Sequence, residues 1–205
     1  YDGYEFVGYK RDPEDPDTLG GSFIWDLQED SSGALWIATN GGGLSRLDRE
    51  TGHFTRYQHD PEDPDSLSSN VVQSLATDNE GMLWVGTAGG LDRFEPTTGH
   101  FVHYRHDPKD PNSLSCNSVT ALLQYQDGAL WIGTDAGGLN RLELEGDHGS
   151  AASDAYFVHY QYEPDNPCSL SHDFVHTLYQ DRDGLLWIGT NGGLNKLDHA
   201  GGCFA

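Results

Sequence analysis

The sequence predicts an all-β protein, a β-propeller of four-stranded antiparallel blades, and three observations lead to this fold class. The tryptophans of a recurring hairpin are separated by 48, 47 and 56 residues, a period that fits four short strands and their turns. No stretch has the apolar period of a helix, whereas 26 glycines and nine prolines separate β-branched and aromatic runs. The hairpin itself is written four times, as LWIATNGGGLSRLD (35–48), LWVGTAGGLDRFE (83–95), LWIGTDAGGLNRLE (130–143) and LWIGTNGGLNKLD (186–198).

Each repeat is interpreted as one blade, whose strands we name a to d in chain order. Residues 70–106 illustrate the unit, with NVVQSLATD as strand a, MLWVGT as strand b, LDRFE as strand c and HFVHYRH as strand d. The longest interval contains LEGDHGSAASDAY, which we interpret as an elongated surface turn. The whole chain, 1–205, is thus one propeller region, with about four blades near 22–59, 70–106, 117–162 and 173–198.

The two ends of the repeat array leave the closure of the propeller open. YEFVGYKRDPEDPDTL aligns with GHFTRYQHDPEDPDSL, so Tyr4–Lys10 is expected to be a strand d without strands a to c of its own. This strand would complete the last blade by pairing beside its strand c at 194–198. The final residues, GGCFA, would begin a second strand d at the same edge. That competition favours an excerpt of a larger ring, or an assembly, over a self-closed ring.

The composition restricts the classes of partner. The chain has 33 acidic and 11 basic residues, for a formal net charge of −22, which argues against nucleic acid and anionic membranes. No apolar run approaches the ~20 residues that span a bilayer, so we expect no membrane insertion by this segment. Cations, basic partners and neutral ligands such as sugars fit better. Cys116, Cys168 and Cys203 follow no metal spacing and do not indicate which of them pair.

Residues that recur in every blade are interpreted as structural, because a ligand is rarely as symmetric as the propeller. The hairpin tryptophans would fill the space between neighbouring blades; they are Trp36, Trp84, Trp131 and Trp187. Four basic residues of strand c would form ion pairs between blades, or alternatively ring a pore that attracts anions; they are Arg46, Arg93, Arg141 and Lys196.

The Asp-Pro loops, DPEDPD at 12–17 and 60–65, raise the question of a metal. Their carboxylates are ligands that Ca²⁺ accepts, but proline restricts the loop and no copy has EF-hand spacing. Asp before Pro readily forms an Asx-type turn. We therefore expect solvated turns, no metal site and no cofactor, with calcium at these loops as the alternative.

Candidate site residues are sought where the blades differ. In a propeller the d–a and b–c connections emerge on one face beside the axis, and there the four blades carry different side chains. An aromatic ring for stacking with amide and carboxylate groups for hydrogen bonds is typical of a sugar site, whereas simple drift at exposed loop positions is the alternative. The predicted ligand-binding residues are Trp25, Asn40, Asp135, His172, Asp173, His176 and Asn191.

The repeats closely resemble the two-component regulator propeller repeat, D-x-x-G-x-L-W-I-G-T-x-x-G-G-L-x-R-x-D followed by T-G-x-F and D-P-x-x-P-x-S-L-S. The likeness covers the chain apart from the insertion at 144–155. It implies a periplasmic or extracellular sensor module of membrane-bound kinases and hybrid regulators, several of which respond to oligosaccharides, without catalytic activity of its own. Two alternatives are an assembly subunit joined through edge strands and a polysaccharide lyase-like enzyme that uses the SHDFVH cluster at 171–176.

Overall fold

The chain folds into four consecutive antiparallel sheets. The computed structural model describes residues 7–144, 155–198 and 202–204. Within these ranges the strands form four sheets of four strands each, and no helix is long and apolar enough to cross a membrane. The prediction of an all-β protein with four-stranded antiparallel blades is confirmed.

The strands follow the order a to d in every blade. Blade 1 contains β1 (Ile24–Glu29), β2 (Leu35–Thr39), β3 (Leu44–Leu47) and β4 (Phe54–Tyr57). Blade 2 contains β5 (Val72–Thr77), β6 (Leu83–Thr87), β7 (Gly90–Glu95) and β8 (His100–Tyr104). Blade 3 contains β9 (Val119–Gln124), β10 (Leu130–Thr134), β11 (Leu139–Leu144) and β12 (Ala155–Tyr160). Blade 4 contains β13 (Val175–Gln180), β14 (Leu186–Thr190), β15 (Gly193–Asp198) and β16 (Cys203–Phe204).

The turn between strands a and b is built by the D-x-x-G sequence. In blade 2, Gly81 N donates to the carbonyl of Asp78 at 3.0 Å, and Met82 N donates to Asp78 Oδ1 at 2.9 Å. The φ of Gly81 is +83°, a left-handed conformation that favours glycine. The repeated aspartate and glycine therefore fix a tight hairpin and place strand b, with its tryptophan, beside strand a.

Neighbouring blades pack through aromatic side chains of strands b, c and d. Trp36 of blade 1 lies 5.0 Å from Phe94 of blade 2, and Tyr57 lies 5.1 Å from the same ring, measured between ring centroids. Trp84 and Trp131 are buried in the equivalent clusters between blades 2 and 3 and between blades 3 and 4. For these three tryptophans the prediction of packing between blades is confirmed.

The basic residues of strand c make their described ion pairs within one blade. Arg46 Nε lies 3.8 Å from Asp30 Oδ2, and Arg93 Nη2 lies 2.8 Å from Glu95 Oε1. The expectation of ion pairs between blades is wrong for these residues. The reason is the strand register. Strand c pairs with strand b of its own blade, and Arg46 lies directly opposite Trp36. The Arg46 guanidinium carbon therefore lies over the indole of Trp36, 5.7 Å from the ring centroid.

The last blade is completed by its own C-terminal strand rather than by 4–10. β16 pairs with β15 through Leu197 opposite Phe204, which occupies the edge predicted for the N-terminal strand. Of that predicted strand, residues 4–6 lie outside the described part and residues 7–10 belong to no strand. Tyr9 instead lies beside blade 1, with its ring 5.6 Å from that of Phe54. A hairpin between adjacent segments costs less loop-closure entropy than pairing across the whole chain.

Candidate ligand site at the blade rim

We call the rim the end of the blades where the d–a and b–c connections lie. In all four blades the pairing of strand a with strand b shifts register at one rim residue, which is the mark of a β-bulge. A bulge leaves one residue unpaired and redirects its side chain. The four bulged residues are Trp25, Gln73, Thr120 and His176. A position that carries a different side chain in each of the four blades is thus left unpaired by the backbone.

On blade 4 the structure brings three of the predicted residues together around Phe174. His176 Nε2 lies 2.6 Å from Asn191 Oδ1, and the His176 ring lies 4.3 Å from the Phe174 ring. Phe174 N donates to His172 Nδ1 at 2.8 Å, so this imidazole is held beside the same backbone. His172, His176 and Asn191 therefore form one exposed polar cluster with an aromatic ring.

Blade 1 repeats this arrangement with different side chains. The rings of Phe23 and Trp25 lie 5.1 Å apart, and Asn40 N donates to the carbonyl of Phe23 at 3.0 Å. The equivalent backbone bond in blade 4 joins Asn191 N to the Phe174 carbonyl at 3.1 Å. Trp25 is 50% exposed although it is a large apolar side chain. The rim of blade 1 therefore offers an indole, a second ring and an exposed asparagine in one small area.

Blades 2 and 3 lack the aromatic residues at these positions. Ser118 Oγ lies 3.4 Å from Gln73 Oε1 of blade 2, and Thr120 Oγ1 donates to the Val175 carbonyl of blade 4 at 2.5 Å. The rim residues of the middle blades thus link neighbouring blades to one another. Asp135 belongs to this region and accepts a hydrogen bond from Cys116 Sγ at 3.3 Å. Burial of Cys116 raises the pKa of its thiol.

Asp173 has a role that recurs between blades. Its Oδ1 accepts a hydrogen bond from Tyr162 N at 2.7 Å, which anchors the end of the d–a connection. Asn70 Oδ1 accepts from His59 N at 2.8 Å and Asn117 Oδ1 from His106 N at 2.7 Å in the preceding copies. Asp173 Oδ1 therefore holds the d–a connection in the way that Asn70 Oδ1 and Asn117 Oδ1 do in the preceding copies.

Sequence reasoning missed Phe23 and Phe174. Each lies two residues before a bulged rim residue, and each ring contacts the ring of that residue. The signal was present in the repeat alignment, because the equivalent residues of blades 2 and 3 are Val71 and Ser118. The two terminal blades thus share an aromatic pair and an asparagine that the middle blades do not have.

Five of the seven predicted residues form two separate groups within one chain, whereas Asp135 belongs to blade 3. Trp25 and Asn40 lie on blade 1, and the histidine cluster lies on blade 4, with two blades between them. A cavity of about 510 Å³ lies at the opposite end of blades 2 and 3, beside the a–b turns. The pairs Arg93–Glu95 and Arg141–Glu143 belong to its lining, so these charges are already compensated there.

Four similar four-stranded sheets with variable rim loops define this chain as a repeat protein of the β-propeller type. In such a protein the blades have a common structure and differ mainly in the loops at their ends. The family model of the two component regulator propeller matches the chain four times, at residues 18–41, 66–89, 113–136 and 169–192. By these four repeats the chain belongs to the two component regulator propeller family.

Solved structures with the same fold include two extracellular domains from B. thetaiotaomicron. The domain of BT3049, described as a hybrid two component system, is 28% identical over 100% of this chain, with a TM-score of 0.79. The domain of BT4673, described as a one component system, is 23% identical over 98% of this chain, with a TM-score of 0.74. The chain spans only 26% and 27% of the lengths of these two domains.

A third structure shares the fold at lower identity. Virginiamycin B lyase from Staphylococcus aureus is 17% identical over 89% of this chain, which covers 54% of the lyase, with a TM-score of 0.59. Among curated proteins no relative matched the chain.

Proposed function

We propose that this chain is a ligand-binding part of an extracytoplasmic sensor for signal transduction, and that it binds a neutral, carbohydrate-like ligand at the rim without catalysing a reaction. Support for the sensor role comes from the two component regulator propeller repeats and from the likeness to the extracellular domain of BT3049. The composition agrees with a neutral ligand, because a net charge of −22 disfavours anionic ones.

The observation that carries the ligand proposal is the pairing of exposed aromatic rings with amide and imidazole groups at the rim. Trp25 and Phe23 are both exposed and adjacent, and such rings stack on the apolar face of a sugar. Asn40, Asn191 and His176 supply donors and acceptors for hydroxyl groups. A hydroxyl group both donates and accepts hydrogen bonds. A neutral polyol therefore matches this combination of donors and acceptors better than a ligand with a single charged group.

The disulfide between Cys168 and Cys203 supports an extracytoplasmic location. Disulfides persist in the periplasm and outside the cell, whereas cytosolic thiols are kept reduced. A location in the periplasm or outside the cell would also expose the rim to ligands from the environment.

Each histidine of the rim is held through one of its ring nitrogens. His172 Nδ1 accepts the Phe174 amide, and His176 Nε2 bonds with Asn191, so each ring has one nitrogen engaged in the rim itself. Such rings are well placed to fix a hydroxyl through their other nitrogen. These partners indicate which nitrogen carries the proton of the neutral ring. In His172 it is Nε2, because Nδ1 accepts a hydrogen bond, and in His176 it is also Nε2, because that nitrogen faces the acceptor Asn191 Oδ1.

The test is calorimetric titration of the full 205-residue chain with a panel of neutral and acidic oligosaccharides. We expect a neutral oligosaccharide to bind, and Asn191→Ala to weaken its binding about tenfold, the effect of one lost hydrogen bond. Asn79→Ala, in an a–b turn at the opposite end of the blades, is the control and should bind like the parent. The proposal fails if no oligosaccharide binds, or if Asn191→Ala and Asn79→Ala bind equally well.

A further inference from the structure

The cavity between blades 2 and 3 has the size and the mixed lining of a small-molecule site. It has a volume of about 510 Å³ and lies beside the a–b turns, at the end of the blades opposite the rim. Small-molecule sites typically have volumes of about 300–1,000 Å³ and combine apolar walls with a few polar groups. Met82, Trp84 and Leu142 contribute apolar parts of this lining, and Arg93 and Arg141 contribute charged parts.

Arg93 is buried in the wall of this cavity with one hydrogen-bond donor unused. Its side chain is 8% exposed, whereas the side chains of Arg46 and Arg141 are 34% and 33% exposed. Arg93 Nη2 donates to Glu95 Oε1 at 2.8 Å, but Nε has no partner among the described residues. The Nε of Arg141 is buried without a described partner in the same way. An unsatisfied buried donor costs free energy, which a ligand oxygen would recover.

Gln124 adds an unused acceptor to the same lining. At the equivalent position of blade 2, Thr77 Oγ1 accepts a hydrogen bond from Gln28 Nε2 of blade 1 at 3.0 Å. In blade 4, Gln180 Oε1 accepts from a backbone amide of blade 3 at 3.2 Å. Blade 2 has Ala76 at the position of Gln28, so it offers no side-chain amide to Gln124. Gln124 Oε1 is thus a buried oxygen for which the described part of the chain provides no donor.

Acidic side chains determine the sign of charge that the cavity favours. Its described lining contains two guanidinium groups and five carboxyl groups, which belong to Asp78, Glu80, Glu95, Asp127 and Glu143. Glu95 and Glu143 each pair with one of the arginines. Asp127 Oδ2 lies 3.5 Å from Arg141 Nη2, and the aspartate side chain is 46% exposed. The excess of carboxylates disfavours an anion and favours a cation, for which Asp127 is an exposed partner.

We propose that this cavity binds a small amino sugar. Its hydroxyl groups bond with Gln124 and the two arginines, and its ammonium group lies near Asp127. A hydroxyl group donates to an amide oxygen and accepts from a guanidinium group, so it satisfies both kinds of unpartnered atom. A linear polyamine has no acceptor for the arginines, and a sugar acid is repelled by the carboxylates. Glutamine and arginine side chains have alternative rotamers through which they turn toward a ligand.

The test is calorimetric titration of the full chain with glucosamine, glucose and glucuronic acid, at a pH where the amine of glucosamine is protonated. These compounds share a hexose ring and differ in charge. We expect glucosamine to bind, glucose to bind about threefold more weakly, and glucuronic acid not to bind, because one partly exposed charge pair has a modest effect. The proposal is overturned if glucosamine does not bind, or if glucose binds equally well.

A matched pair of variants locates the binding. Gln124→Met should weaken glucosamine binding about fivefold and leave the melting temperature unchanged, because Gln124 Oε1 bonds to no described group. Gln180→Met, at the equivalent position of blade 4, should lower the melting temperature and leave binding unchanged, because it deletes a hydrogen bond between blades. Unchanged binding by Gln124→Met overturns the proposal. So does a melting temperature as low as that of Gln180→Met, since the Gln124 amide would then already have a partner.

Asp127→Asn tests the position of the ammonium group. Asp127 Oδ1 accepts a hydrogen bond from Ala129 N at 2.9 Å, which the asparagine oxygen can also accept, so the turn should be kept. Glucosamine affinity should fall to that of glucose, whereas glucose affinity should not change. Asp183→Asn makes the same charge change at the equivalent position of blade 4 and should bind like the parent. Equal effects of the two variants on glucosamine binding would overturn the assignment.

This site is separate from the rim, so the two proposals fail independently. Asn191→Ala, at the opposite end of the blades, should bind glucosamine like the parent. Loss of glucosamine binding in this variant would place the amino sugar at the rim and overturn the assignment to the cavity.

Discussion

Cys168 and Cys203 are joined by a disulfide at the place where blade 2 has an aspartate and a histidine. Phe204 N donates to the Cys168 carbonyl at 3.0 Å, as Phe101 N donates to the Asp65 carbonyl at 2.9 Å. In blade 2 the side chains at the two cysteine positions are also in contact, since His100 Nδ1 lies 3.6 Å from Asp65 Oδ2. The same link between a connecting loop and strand d is therefore a contact between a histidine and a carboxylate in one blade and a covalent bond in another.

The first prediction concerns this covalent link. Cys203→Ser should lower the free energy of unfolding by about 3–4 kcal/mol, the chain-entropy value for a crosslink across 35 residues. β16 has only two residues in the ladder, so blade 4 should lose protection against hydrogen exchange first. Urea denaturation with and without reductant measures the change, and reduction should affect the parent but not the variant.

Cys116→Ser is the matched control for this experiment. Cys116 is a free thiol, so its replacement should leave the effect of reductant unchanged. Thiol labelling of the unfolded, unreduced parent should detect one reactive cysteine among the three of the chain. Detection of three would contradict the disulfide.

The sequence predicts most of this fold because the repeat constrains it four times. The hairpin LW-x-G-T (LW-x-A-T in blade 1), its glycine turn and the tryptophan each recur, so the strand order and the packing between blades could be inferred from one copy and checked against the others. The closure could not be inferred, because GGCFA and Tyr4–Lys10 both fit strand d. The choice depended on a local hairpin and a disulfide, which a repeat pattern does not contain.

The second prediction concerns the link between the a–b turn and the buried tryptophan. Trp36 Nε1 donates to Asp30 Oδ2 at 2.8 Å, and Ala34 N donates to Asp30 Oδ1 at 3.1 Å. Asp30→Ala leaves a buried indole N–H without an acceptor, so we expect a loss of about 1–3 kcal/mol in unfolding free energy. Asp15→Ala, whose carboxylate only caps an exposed loop, is the control and should change stability much less.

Asp30 also predicts an acid dependence of stability. Burial raises the pKa of this carboxyl, but the hydrogen bonds from Ser32, Trp36 and Ala34 outweigh it and hold the pKa below its ordinary value. A group with a lowered folded-state pKa stabilises the fold above its unfolded pKa, and this contribution is lost as the pH falls through the folded pKa. Asp30→Asn should therefore flatten the acid limb of a plot of unfolding free energy against pH. An unchanged acid limb would contradict this assignment.

The third prediction concerns the buried carboxylate of Asp92. His103 Nδ1 lies 2.7 Å from Asp92 Oδ1, and Ser68 N donates to Asp92 Oδ2 at 2.8 Å. The hydrogen bond to Asp92 raises the pKa of His103. A raised folded-state pKa gives stability that is complete below the ordinary histidine pKa and is lost as the pH rises through the raised value. His103→Gln should abolish that alkaline loss in urea titrations near neutral pH.

Blade 3 provides the control for His103. His159 is the equivalent residue, but its Nε2 faces the Ser113 carbonyl at 2.7 Å, and Asn140 stands where blade 2 has Asp92. His159→Gln therefore removes no pair with a buried carboxylate. Equal pH profiles for the two variants would show that Asp92 has no special part in the titration.

The candidate site is predictable from the sequence only in part. Variation between blades indicated Trp25, His176 and Asn191 as candidates. In the structure Trp25 and His176 are both the unpaired residue of a β-bulge. Asp173 was included by the same rule, although three blades use its position to bind a backbone amide. A difference between Asn and Asp looks like variation in sequence, but both oxygens accept the same hydrogen bond. Only the structure shows that Asp173 makes the same contact as Asn70 and Asn117.

The last prediction compares two tryptophans with opposite environments. Trp25 is half exposed at the rim, whereas Trp84 is buried between blades 2 and 3 and donates its Nε1 hydrogen to Asp78 at 2.9 Å. Trp25→Ala should weaken binding of the neutral oligosaccharide by about 1–3 kcal/mol, because the stacking surface is lost. Trp84→Ala should instead destabilise the fold by about 3–5 kcal/mol, the usual cost of deleting a buried aromatic side chain. Thermal melts and calorimetric titrations on both variants separate the two effects. If Trp25→Ala melts as early as Trp84→Ala, then Trp25 belongs to the packing of blade 1, and the rim loses its stacking residue.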